Sequence, residues 1–150
     1  MPTPFYHLSI AEDLLARPDL SSTAQNILHQ HRSAFFLGNT APDVQTVSGQ
    51  ERQATHFFDL PVLPGDRPAW ERLLAHCPAL IFRNGNPIPP SQAAFLAGYL
   101  CHLQADWFWV LQIFEPAFGP QLRWHSFPQR LYLHNVLRSY LDQQILKSLS

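Results

Sequence analysis

The segment spanning residues 91–114 constrains this chain more than any other. It reads SQAAFLAGYLCHLQADWFWVLQIF, with one glycine and no proline, and Pro90 and Pro116 stand on either side of it. Proline lacks a backbone N–H and clashes with the preceding turn, so an unbroken run between two prolines reads as one long helix. The run is apolar nearly all round, which leaves a buried core helix or a membrane span. His102, Gln104, Asp106 and Gln112 decide against the span, because ionisable groups are costly in hydrocarbon. A central helix with no transmembrane role therefore has to be wrapped by the rest of the chain.

That remainder is punctuated by most of the 14 prolines, which fall between periodic segments. The pattern predicts helices over 7–17, ended by Pro18, and over 21–36, with Ser21 or Ser22 as N-cap. Gly38-Asn39-Thr40-Ala41-Pro42-Asp43 reads as a turn that starts a short helix near Asp43, with His56 towards its end. Further helices are expected over 69–79 and from Pro128 to about Leu146, the last capped by Ser126 or Phe127. Residues 60–68 and 83–90 read as loops, and Asn84-Gly85 falls in the second of these rather than between strand-like runs. The expected fold is all-α: one multi-helix domain over 1–150 around a buried central helix, a length that suits one core.

Hydrophobic residues make up 46% and charged residues 14%, well below the usual charged share of about 25%, so disorder is excluded. A formal charge of −1 lacks the basic footprint of a duplex nucleic-acid binder. The opening Met1-Pro2-Thr3-Pro4-Phe5-Tyr6 has no basic or apolar leader character, so cytoplasmic residence is the expectation. Cys77 and Cys101 form no CxxC pair and read as small buried hydrophobes without chemistry.

Eight histidines are many for a chain so poor in charge. His102 and Asp106 are four apart on the long helix and leave the same face, so they can hold one metal ion or simply pair to order the core. Asp43 in GNTAPDVQ and His56 in THFFDLP are two more polar ligand types set among apolar neighbours. Two imidazoles and two carboxylates give Zn²⁺ a charge-balanced shell of donors that it accepts.

The order GNTAPD, THFFD, FLAGYLCHLQAD resembles the zinc-dependent phospholipase C family and, more distantly, the single-strand nucleases of the same superfamily. The resemblance implies that Asp43, His56, His102 and Asp106 bind one zinc together. It extends to FYHLSIAEDLLA, where His7 corresponds to a ligand of a second zinc, bridged to the first by Asp106. The family's secreted members also use an N-terminal amino group, usually on a Trp, and this sequence has no such Trp. A third family site uses a His six residues after the helix Asp and an H-x-x-x-E pair; here Gln112 and His134 with Arg138 stand in those positions, so that site reads as dismantled, with His134 a core or surface histidine.

The resemblance implies a zinc-dependent phosphodiester hydrolase with a small-molecule or phospholipid substrate. It further implies that Asp43 doubles as general base; Thr55 and Gln104, beside the ligand positions in sequence, are candidates to orient a ligand. A non-catalytic protein whose helices are stapled by zinc is the alternative, and a single-strand nuclease the third reading. His29 and His31 read as solvated, His76 as a helix-end group, and His125 as a residue near a cap. Trp107, Phe108 and Trp109 cannot all face one partner from a helix.

Overall fold

The computed structural model describes residues 1–63, 65–83, 86–123 and 126–148. Among the described residues its elements are helical apart from one short two-stranded ribbon. Helix α1 spans Pro4–Leu15, where Thr3 caps the first turn by accepting from the Tyr6 N–H and Pro4 occupies the first helical position. It therefore starts before the expected residue 7, and His7 lies inside it. The helix expected over 21–36 is two helices, α2 (Ser22–Gln30) and α3 (Arg32–Thr40), broken at His31, whose φ of −116° and ψ of 36° leave helical geometry. Ser21 is the N-cap of α2, its side chain accepting from the Ala24 N–H.

Helix α3 also overruns the expected turn at Gly38-Asn39-Thr40. A 3-10 turn at Ala41–Val44 then carries Asp43, followed by α4 (Gln45–Ser48) and α5 (Arg52–His56), so the single short helix expected here is two. His56 is the last residue of α5, and Phe57 ends that helix in the left-handed region at φ 59°. Helix α6 spans Ala69–His76, stopping short of the expected residue 79.

Strands β1 (Phe82–Arg83) and β2 (Asn86–Pro87) pair antiparallel, Phe82 opposite Pro87 and Arg83 opposite Asn86. The loop expected over 83–90 thus contains a small ribbon; Asn84 and Gly85 themselves lie outside the described residues. Helix α7 spans Pro90–Trp109, and the helical path continues through a π-turn at Val110–Phe114 into α8 (Glu115–Phe118). The path does not stop at residue 114, because the wider π hydrogen-bond pattern ahead of Pro116 carries the chain past the proline. Helix α9 spans Phe127–Ser148, with the Ser126 hydroxyl accepting from the Gln129 N–H at 3.2 Å.

Helix α7 is the axis of the fold. On one side Phe58, Ala69, Leu73, Leu103, Trp107 and Val110 form an apolar cluster, and on the other Ala11, Leu15, Leu28, Phe35 and Ala94 form a second. Helix α3 makes the most extensive packing against α7. Glycine permits it: a Cβ on Gly38 would collide with the Phe95 carbonyl, and one on Gly98 with the Phe35 carbonyl. Two helices crossing this closely lock Asn39, at the end of α3, against the turn of α7 that carries His102. Among the described residues no helix is long and apolar enough to cross a membrane.

Candidate metal centre

Four elements deliver the five residues singled out in the sequence. His7 comes from α1, Asp43 from the 3-10 turn, His56 from the end of α5, and His102 with Asp106 from α7. His7, His56, His102 and Asp106 are at most 1% exposed. The Asp43 side chain is 23% exposed, so the cluster meets solvent on that side.

The nitrogen and oxygen atoms converge. His56 Nε2 lies 3.3 Å from His102 Nε2 and 3.5 Å from both Asp43 Oδ1 and Asp106 Oδ2. His102 Nε2 is 3.9 Å from Asp43 Oδ1 and 4.0 Å from Asp106 Oδ2. His7 Nε2 is 3.3 Å from Asp106 Oδ1, and its ring stacks on that of His102 with centroids 3.8 Å apart. Donor atoms of His56, His102 and Asp106 all lie within 4.8 Å of one another, and so do those of His7, Asp43 and His102.

The second nitrogens of the two central histidines are already engaged. His102 Nδ1 is 2.8 Å from the Asn39 carbonyl, and a carbonyl only accepts, so Nδ1 holds the proton and Nε2 presents a lone pair. His56 Nδ1 is 2.8 Å from the Thr55 hydroxyl, which in turn donates to the Arg52 carbonyl at 3.3 Å. With that hydrogen on the Arg52 carbonyl, Thr55 accepts from His56 Nδ1–H in the tautomer that suits metal ligation, and His56 Nε2 then also presents a lone pair. Two lone pairs 3.3 Å apart and two carboxylates call for a shared cation. Nitrogens each about 2.0–2.1 Å from a tetrahedral zinc stand about 3.3–3.4 Å apart, so the spacing suits that ion.

A second pair is equally unsettled. His7 Nε2 and Asp106 Oδ1 are buried and close, yet their alignment makes no hydrogen bond, and His7 Nδ1 also lacks a partner. Buried polar groups left unpaired are destabilising, and a bound cation would relieve them.

The electrostatics are those of a cation receptor. Burial pulls the His102 pKa down to about 4, with the His7 charge adding to the effect and Asp106 opposing it, so the ring is a neutral ligand at pH 7. For Asp43, burial works to raise the pKa, but His56, His102 and His7 close by favour its ionised form and hold it below the usual carboxylate range. Burial raises that of Asp106 too, and His7, His102 and Arg52 outweigh it. Both carboxylates are ionised at neutral pH.

Sequence reasoning missed Arg52. Its Nη2 donates to Asp106 Oδ2 at 2.7 Å, and its guanidinium lies over the Phe58 ring, 4.5 Å from the centroid. It falls four residues before His56, a spacing that places both on one face of α5 and was the only available signal. Of the two orienting residues expected, Thr55 takes that part, while Gln104 is exposed and borders an apolar groove elsewhere. His134 is buried and accepts from the Trp109 indole N–H at 3.1 Å, ringed by Phe114 and Phe118. Gln112 is exposed. No third donor set forms from Gln112, His134 and Arg138.

Other expectations sort as follows. His29 and His76 are exposed, whereas His31 is partly buried and breaks α2 from α3. His125 lies outside the described residues. Trp107 and Trp109 are buried while Phe108 is 57% exposed, so the three face different ways. Cys77 and Cys101 are free and only half-buried, not core residues as expected, with burial raising the Cys101 thiol pKa.

The zinc dependent phospholipase C family model matches residues 6–109, more than half of the chain and all five converging residues. The chain belongs to that family. Family membership and the His/Asp clusters agree on Zn²⁺ as the cofactor. No curated protein and no solved structure matches the chain significantly.

Proposed function

We propose that this member of the zinc-dependent phospholipase C family hydrolyses a phosphodiester, in a small molecule or a phospholipid head group. One observation carries the reading: two lone pairs 3.3 Å apart, on His56 and His102, stand beside an ionised carboxylate that borders open space. The cavity on that side measures about 570 Å³ and is bordered by Asp43, Arg52, His56, Asn135 and Arg138. A closed structural site would leave no such approach.

In this mechanism His56, His102, Asp43 and Asp106 would hold the zinc, and His7 with the second oxygen of Asp106 would suit an auxiliary ion. Zinc supplies Lewis-acid polarisation of a phosphoryl oxygen and acidifies water. Thr55 and the Asn39 carbonyl fix the two rings in the tautomer that offers Nε2. The Asp43 carboxylate, ionised and partly exposed, takes the proton from the attacking water as it lines up opposite the leaving oxygen. The apolar clusters around α7 keep bulk water from the remaining sides.

An apolar groove of about 670 Å³, lined by Tyr6, Ile10, Trp70, Leu100 and Phe108 among others, shares Pro2 with the polar cavity. That adjacency supports a lipid over a nucleotide, since tails and head group would find neighbouring surfaces of matching polarity. A non-catalytic zinc protein is the second reading, favoured by the engagement of His134 with Trp109.

The test sets zinc-loaded wild type and Asp43→Asn against a nitrophenyl phosphocholine, a micellar phospholipid, a phosphomonoester and a single-stranded oligonucleotide. Turnover of the first two, abolished by chelation, restored by zinc and lost in Asp43→Asn, is the expected result. Wild type no faster than Asp43→Asn on every substrate, with zinc measured in both, hands the answer to the non-catalytic reading.

A further inference from the structure

Two arginines border the cavity above the donor cluster, and each keeps a buried nitrogen that no hydrogen bond satisfies. Arg52 uses Nη2 on Asp106, while its Nη1 is buried without a partner. Arg138, on α9, uses Nη1 on the Asn135 side chain at 3.2 Å, and its Nε is buried without a partner. Both arginines border the same space as Asp43 and His56. Each guanidinium carries five N–H donors and spends one of them in the contacts above, so donors are left for an acceptor in the cavity that both border. Guanidinium forks match the oxygens of a phosphoryl group better than any other side chain.

The charges agree. Asp43 and Asp106 balance Arg52 and Arg138, so a divalent cation on the donor cluster leaves the cavity with a net positive charge of two. That surplus attracts an anion, and the low dielectric around buried groups strengthens the attraction. Asp43 alone would repel a phosphoryl group; the two guanidiniums cancel the two carboxylate charges, so that a cation on the donor cluster would leave the cavity positive.

We propose that Arg52 and Arg138 form a clamp for a phosphoryl anion, holding it against Asp43 and His56. The proposal rests on the phosphodiester reading for its substrate, and the same chemistry serves a diester or the free phosphate left after cleavage. Neither arginine reacts: both bind and orient.

Isothermal titration of zinc-loaded, full-length protein with inorganic phosphate, and separately with dimethyl phosphate, distinguishes the two sources. Zinc content is measured for every variant. Arg138→Gln is expected to weaken binding of at least one anion by about tenfold or more, and Arg138→Lys to recover part of the loss. Loss confined to inorganic phosphate assigns the clamp to product, and loss confined to dimethyl phosphate assigns it to substrate. Arg52→Gln should weaken binding as well. Because it also frees Asp106, a fall in its zinc content moves the decision to Arg138→Gln, whose hydrogen bond touches no member of the donor cluster. Unchanged affinity for both anions in Arg138→Gln at full zinc content, or no binding of either by wild type, overturns the clamp. Arginine-dependent binding without any hydrolysis removes the hydrolase reading and leaves the clamp standing. Hydrolysis with arginine-independent binding does the reverse.

Discussion

Among the described histidines, His102 and His56 stand out in what holds their far nitrogen. A carbonyl from α3 fixes one ring and a neighbouring hydroxyl fixes the other, so each imidazole is aimed before any ion arrives. Thr55→Val keeps the shape of that neighbour and removes its hydroxyl. Zinc affinity, measured by competition with a chromogenic chelator, should fall about 10–100-fold, the usual range for losing a residue that orients a ligand. An unchanged affinity would mean that His56 is oriented by packing alone. The ligand-type residues were legible because carboxylates and imidazoles stand out among apolar neighbours. Arg52 was not, since an arginine in a short polar segment reads as solvated until the fold puts Asp106 beside it.

At the level of elements, the approach of α3 to α7 decides whether the centre can form. Gly38 read as a turn residue because glycine commonly supplies a turn; here it lies within a helix and lets another helix come close. Gly98→Ala places a methyl group against the Phe35 carbonyl, and backbone cannot move aside as a flexible side chain can. The substitution should destabilise the protein by about 1–3 kcal/mol or more, read from denaturant unfolding. It should also weaken zinc retention, because the Asn39 carbonyl would move away from His102, one turn further along α7. Loss of stability with full zinc retention would uncouple the helix crossing from the centre. The break at His31 and the π-turn before Pro116 were invisible for a related reason: helical periodicity survives both interruptions, and only backbone hydrogen bonds register them.

For the molecule as a whole, zinc binding to residues gathered from four elements should stabilise the fold by mass action. At free zinc about 100-fold above the dissociation constant the gain is about 2.7 kcal/mol, and chelation should lower the Tm of a chain this size by about 5–10 °C. A Tm indifferent to chelation would mean that the ion does not bridge elements. His134, which borders the same cavity as Asp43 and His56 without being part of the donor cluster, adds a pH dependence of its own. Burial, with help from the amino terminus and Arg138, lowers its pKa from 6.5 to about 4, so the unfolded chain binds the proton more readily than the folded one. Stability is therefore present above pH 6.5, declines as pH falls towards 4 and levels off below. His134→Phe should flatten that slope in zinc-free urea titrations across the window, and an equal slope in both proteins would assign it elsewhere. What the sequence determined by itself was the helical class, the central position of α7 and the identity of five polar residues with donor chemistry. Periodicity, proline placement and polarity are local properties, and they are written in the order of residues. The tertiary structure decided which nitrogens remain free, where the cluster opens and that two arginines border the opening. Each of these depends on side chains from distant segments meeting in space, at distances that spacing along the chain does not encode.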